Sequence, residues 1–139
     1  MSNYTAARAG MESQSDERVR RALAHGHVID ITTTGRRSGE PRRIEIVFHN
    51  IDGRLFITGM AREATRAWLH NLRAEPRFIF HLKGDVQADL PARAREITDE
   101  TERRAIFEWI VREAWRQQDV EAMTRYSPLV EVVLEGSAA

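Results

Sequence analysis

Gly35-Arg36-Arg37-Ser38-Gly39-Glu40-Pro41-Arg42-Arg43 gathers four arginines, two glycines and a hydroxyl into one connection. Glycines free the backbone to turn its N–H groups inward, Ser38 adds a donor, and guanidinium forks suit phosphate or carboxylate oxygens. The chemistry is that of an oxyanion cradle. Two other readings stay open at this point: a solvated turn in an arginine-rich protein, and a basic patch for nucleic acid. The connection is not a P-loop, which needs Gly-Lys-Ser/Thr, and no Gly-x-Gly-x-x-Gly occurs in the chain.

Other chemically able residues are sparse. The five histidines stand at 25, 27, 49, 70 and 81, without a His-Glu-x-x-His pair and without cysteine, so no metal site is expected. His49 and His70 are candidate proton donors. Ser38 lacks the Gly-x-Ser-x-Gly context of a hydrolase nucleophile. Trp68 and Asn71, at i and i+3, share one side of a predicted helix, where the ring is either core or a wall for a planar ligand.

The elements that must hold these residues follow from periodicity and turn signals. A short helix is predicted from Ser15 and Asp16 to about Ala24. Val28 to Thr34 is a β-branched strand, and the cradle joins it to a second strand from Arg42. Asp52-Gly53 between apolar runs predicts a two-residue hairpin. Its register pairs Ile51 with Arg54, His49 with Phe56, Phe48 with Ile57, Val47 with Thr58 and Ile46 with Gly59. One face then carries Ile44, Ile46, Phe48, Leu55 and Ile57 toward a core. The other carries Arg43, Glu45, Val47, His49, Phe56 and Thr58, a mixed surface expected to be a site wall or subunit contact. Ala61 to Ala74 is expected to be helical and to stop at Pro76. Strands follow at Arg77 to Leu82 and Val86 to Ile97, the second placed at an edge or bulge by Pro91. A helix capped by Asp99 is predicted to Gln117, buried through Ile106, Phe107, Ile110, Val111 and Ala114. A last strand covers Leu129 to Leu134. Hairpins with few inserted helices imply an α+β fold: a split β-barrel of about six mainly antiparallel strands with two to three flanking helices.

Composition narrows the function classes. The 139 residues suit one core. We expect a loose segment over residues 1–15 and a single domain over 16–136. Twenty-one acidic and 21 basic residues cancel, which disfavours nucleic acid or an anionic membrane as a partner read by overall charge. No apolar run approaches the roughly 20 residues of a membrane span. Zero cysteines suit a reducing compartment, so a cytoplasmic location is expected. All basic residues but Lys83 are arginine, which suits bidentate anion recognition wherever they cluster.

Three strings in order carry a resemblance. Ile31-Thr32-Thr33-Thr34-Gly35-Arg36-Arg37-Ser38-Gly39-Glu40-Pro41-Arg42, then Asp52-Gly53-Arg54, then Trp68-Leu69-His70-Asn71-Leu72-Arg73-Ala74-Glu75-Pro76, resemble the deazaflavin-dependent nitroreductase/quinone reductase family. The resemblance implies a split barrel that binds the reduced 8-hydroxy-5-deazaflavin coenzyme, F(420), with its phosphorylated polyglutamyl tail. It implies hydride transfer to a small conjugated acceptor, quinone-like or nitro. By motif, Arg36, Arg37, Ser38 and Arg42 would hold the tail; Thr58, Gly59, Met60, Trp68 and Asn71 would flank the ring system. Tyr126 would close the pocket and joins His49 and His70 as a candidate proton donor. The chain departs from the family at Arg43-Ile44-Glu45 and Thr58-Gly59-Met60-Ala61-Arg62, and its C-terminal tyrosines reduce to Tyr126, which favours quinone-like over nitro acceptors. FMN is the alternative cofactor, and a non-catalytic module for flavin, haem or fatty acyl ligands is the alternative function. A homodimer is the expected assembly.

Overall fold

Asp52 (φ 52°) and Gly53 (φ 89°) both adopt the left-handed conformation, as the predicted two-residue turn requires. The Asn50 side chain reinforces the turn by accepting from Gly53 N at 2.9 Å and donating to Leu23 O at 2.7 Å. In the computed structural model, which describes residues 16–136, this hairpin is part of a closed six-stranded barrel. The expectation for residues 1–15 lies outside the described residues.

Helix α1 (16–23) leads into β1 (Val28–Thr34), β2 (Pro41–Ile51) and β3 (Arg54–Thr58). Then come α2 (Ala67–Ala74), β4 (Arg77–Leu82), β5 (Ala88–Glu96), α3 (Glu100–Glu113), α4 (Val120–Tyr126) and β6 (Leu129–Leu134). Every strand pairing is antiparallel, in the order β1-β2-β3-β6-β5-β4, closed by β1 against β4.

Strand alternation assigns two cores. Ile29, Ile31, Phe48, Leu55, Ile57, Phe80 and Val130 fill the barrel, with Trp68, Leu69 and Leu72 of α2 packed into the same cluster. Phe56 and Leu129 point outward, where Ile97, Met123 and the α3 residues Ile106, Phe107 and Ile110 cover them. The mixed hairpin face is therefore partly a second core: His49, Phe56 and Thr58 are all buried.

Five local expectations change. The β2–β3 pairing ends at Phe48↔Ile57, because Val47 and Ile46 pair with β1 and Thr58 pairs with Leu129 of β6. Helix α2 begins at Ala67, not Ala61, since Arg66 is extended (φ −80°, ψ 147°) and leaves residues 61–66 as a loop. Helix α3 stops at Glu113 because Ala114 leaves helical geometry and both Ala114 N and Trp115 N donate to Ile110 O. A fourth helix then starts at Asp119, whose carboxylate accepts from Ala122 N at 2.8 Å. Finally, Pro91 lies in an interior strand. Its carbonyl accepts from Glu135 N, beyond the last paired residue of β6, so the missing N–H faces the end of that strand and costs no ladder bond.

Candidate functional site

The register of β1 against β2 sets which arginines face inward. Thr33 pairs with Arg42 and Ile31 with Ile44, so Thr33, Arg42 and Ile44 share the barrel's inner face at its end. Arg43 and Asp30 alternate to the outside, where Arg43 Nε donates to Asp30 Oδ2 at 3.0 Å. The fourth arginine of the connection is thereby neutralised.

The turn between these strands is tightly bonded. Gly35 N donates to Glu40 O and Gly39 N to Gly35 O, both at 2.8 Å, with Gly39 at φ 72°. Glu40 N donates to Ser38 Oγ at 3.1 Å, which leaves the Ser38 proton free to donate. A Cβ on Gly35 would come within 2.6 Å of Ser38 Oγ and 3.1 Å of Glu40 O, so the turn has no room for a side chain there. Among the described residues the N–H groups of Arg37 and Ser38 make no hydrogen bond, and the guanidinium groups of Arg36, Arg37 and Arg42 have no acidic partner.

Helix α2 clamps this turn. Buried Asn71 accepts from Arg36 N at 3.0 Å and donates to Thr33 Oγ1 at 3.1 Å. Its amide joins helix, strand and cradle, and Trp68 one turn earlier lines the same space. The resulting cavity, about 330 Å³, is walled by Arg36, Arg37, Ser38 and Arg42 on one side and by Ile44, Ala67, Trp68 and Asn71 on the other. It offers unpaired positive charge beside an apolar, aromatic wall. Half-buried His70 stands near it; desolvation first, then Arg36, Arg73 and Arg37, hold its pKa below the ordinary histidine value.

The remaining candidates lie elsewhere. The Thr58 hydroxyl donates to Pro128 O, and Thr58 packs at the β3–β6 pairing. Met60 is exposed, and a Cβ on Gly59 would meet the Arg66 guanidinium at 2.8 Å. His49 is buried with its ring 5.0 Å from that of Trp115, and burial lowers its pKa from 6.5 to about 4, so it is neutral at neutral pH. It lines neither this cavity nor the next. Tyr126 lines a second cavity of about 300 Å³ together with Arg66 and Leu69, on the other side of the first turn of α2. The structure thus brings together Arg36, Arg37, Ser38, Arg42, Trp68 and Asn71, and it separates Tyr126 and His49 from them.

Sequence reasoning missed two elements of this arrangement: Thr33, whose hydroxyl completes the Asn71 clamp, and the loop arginines Arg62 and Arg66. Thr33 has a readable signal, since it sits in register with Arg42 across the cradle. The loop arginines carry none, because the composition of residues 61–66 suits a helix and only the extended Arg66 makes the stretch a loop.

Solved structures share this architecture. An F420-H2 dependent reductase is 26% identical, with a TM-score of 0.54 over 76% of this chain and 92% of that one. A protein solved as a domain-swapped dimer is 20% identical, with a TM-score of 0.58 over 91% and 98%. An FAD-binding protein from Mesorhizobium loti is 15% identical, with a TM-score of 0.60 over 84% and 86%. These last two share the fold. The family described as F420H(2)-dependent quinone reductase matches residues 5–136, nearly the whole length, and the chain belongs to that family.

Proposed function

We propose that the cavity between the 35–43 turn and α2 is where this reductase holds its coenzyme, within a single domain over residues 16–136. The family's reaction is hydride transfer from the reduced deazaflavin to a quinone-like acceptor. The observation that carries the site reading is that Arg36, Arg37 and Arg42 converge, without acidic partners among the described residues, on a space walled by Trp68. Those residues fit the coenzyme's chemistry. Guanidinium groups, the free N–H groups of Arg37 and Ser38 and the Ser38 hydroxyl suit phosphate and glutamyl carboxylates. Trp68, Ala67 and Ile44 suit a planar ring.

When bound, the coenzyme supplies a hydride, two electrons with one proton's nucleus, and leaves oxidised as the acceptor is reduced. The chain's part is to orient and to exclude water. Asn71 holds the cradle backbone against α2, and the closed barrel end behind Trp68 keeps water from one side of the site. A quinone also takes up one proton. Of the three candidate donors only half-buried His70 stands near the coenzyme cavity with a route to solvent, while Tyr126, 41% exposed, lines the other cavity. His49, buried and already neutral, has no such route.

The natural setting of the reaction is proposed as the cytoplasm, with the protein as a homodimer. Among the described residues no helix is long and apolar enough to cross a membrane. The deciding experiment is thermal unfolding with the deazaflavin coenzyme, FMN and haem in parallel. A ligand at about 100 times its dissociation constant stabilises by ~2.7 kcal/mol, several degrees for this size. A shift with the deazaflavin is expected. A shift with FMN or haem alone would overturn the site reading in favour of a flavin or haem module.

A further inference from the structure

The second cavity carries positive charge that no carboxylate among the described residues fully pairs. Five arginines line it against two glutamates. Two of the five are spoken for: Arg73 grips Glu96 through bonds of 2.8 and 2.7 Å, and Arg103 donates to the carbonyls of Ile97, Met123, Thr124 and Ser127. Arg62, Arg66 and Arg125 have no carboxylate within ion-pair distance among the described residues, although Glu63 lines the same space. Arg66 is drawn inward over Gly59, donates to Met60 O, and has Arg62 as a like-charged neighbour; burial and then that neighbour lower its pKa. Two guanidinium groups held together without a counter-ion repel unless an anion joins them.

The rest of the lining suits a flat conjugated ring. Arg125 lies 5.9 Å over the Tyr126 ring, and Leu69, Ile97 and Pro128 supply apolar wall. Ser127, 3% exposed, lines the cavity with an Oγ that has no hydrogen-bond partner. Buried hydroxyls are seldom left unpaired, and this one belongs to a residue of the cavity wall. The cavity shares the first turn of α2 with the coenzyme cavity: Ala67 and Trp68 face one, Arg66 and Leu69 the other.

We infer that this cavity is a separate binding site for a planar aromatic ligand bearing an anionic oxygen group, a carboxylate above all, bound by Arg62, Arg66 and Arg125 with its ring against Tyr126. The same charge could instead hold part of the coenzyme's glutamyl tail, and the test separates these sources.

Equilibrium dialysis on the full chain compares an anthraquinone carboxylate with its neutral methyl ester. The carboxylate is expected to bind about tenfold tighter, the scale of one charge-assisted contact. Arg62→Gln and Arg125→Gln, at side chains with no hydrogen bond to the described chain, should each bring the ratio close to one. Arg93→Gln, on β5 and lining neither cavity, should leave it. Equal affinity for acid and ester in the unaltered protein would overturn the inference. So would a ratio that survives both substitutions, or a loss of coenzyme affinity in Arg62→Gln with the ratio intact, which would assign the arginines to the tail. Dialysis needs no turnover, so an intact preference without hydride transfer from the deazaflavin would refute the reductase reading and leave the anion pocket standing.

Discussion

Arg42 and Arg43 are neighbours of the same type with opposite fates, and strand alternation is the reason. Arg42 shares the inner face with Thr33, while Arg43 turns outward to Asp30. Calorimetry should therefore separate them: Arg36→Ala and Arg42→Ala are each expected to weaken the coenzyme about tenfold or more, near 1.5 kcal/mol, whereas Arg43→Ala stays within about twofold. Equal losses in all three would mean that bulk charge, not the cradle, binds the tail. His70 offers a spectroscopic view of the same event. Arg36 and Arg37 help to hold its pKa low, so an anion that neutralises them should raise it. An NMR titration of His70 that does not move upward when coenzyme saturates would place the anion elsewhere. Asn71 is the residue on which the cradle geometry turns, because its amide serves Arg36 N and Thr33 Oγ1 together.

At the scale of elements, the layer formed by α3, α4 and the connection between them decides what the outer face of the hairpin does. It covers Phe56 and Leu129, and the α3–α4 connection sets Trp115 against His49. Burial of that imidazole links this packing to pH. Between about 6.5 and 4 the unfolded chain carries a proton on His49 that the folded chain does not. Stability is then complete above about pH 6.5 and falls as the pH drops toward 4, by ~3 kcal/mol at most. His49→Phe keeps a ring beside Trp115 and removes the titration, so its melting temperature should decline less over that window. A parallel decline in both proteins would show that His49 is not the group responsible. The stretch from 61 to 66 is the element-scale surprise. Its composition suits a helix, yet the extended Arg66 places its guanidinium over Gly59, with Arg62 its like-charged neighbour on the same cavity wall.

At the scale of the whole molecule, one ion network ties the neighbouring strands β3, β6 and β5 to α3. Glu131 on β6, with only 14% of its side chain exposed, takes two bonds from Arg54 on β3, at 2.9 and 3.0 Å, and one from Arg95 on β5 at 3.0 Å. Arg95 also reaches Glu102 of α3 at 2.9 Å. Hydrogen bonds from Arg54 keep the Glu131 carboxyl below the usual glutamate range, so this contribution is present at neutral pH and is lost as acid protonates it. Glu131→Gln should cost about 1–2 kcal/mol, a melting shift of a few degrees, and leave coenzyme affinity unchanged because the network lines neither cavity. An unaltered melting temperature would show the network to be dispensable surface pairing.

Local chemistry was legible without the fold. The Asp52-Gly53 turn admits few conformations, β-branched runs make strands, and the Arg-Ser-Gly cradle and Trp-x-x-Asn pair announce an anion site and its clamp, because each of these depends on neighbours close in the chain. What the sequence could not settle are the contacts made across the barrel. That Pro91 sits in an interior strand follows only from the closure of the barrel, and that it is tolerated there follows from where β6 ends. That His49 is buried follows from a tryptophan more than sixty residues away, and that Tyr126 faces a different cavity from the cradle follows from the direction in which α4 is laid down. Such placements are set by the order in which strands close into a barrel and by which surplus apolar face each helix must cover, and both are properties of the packed chain.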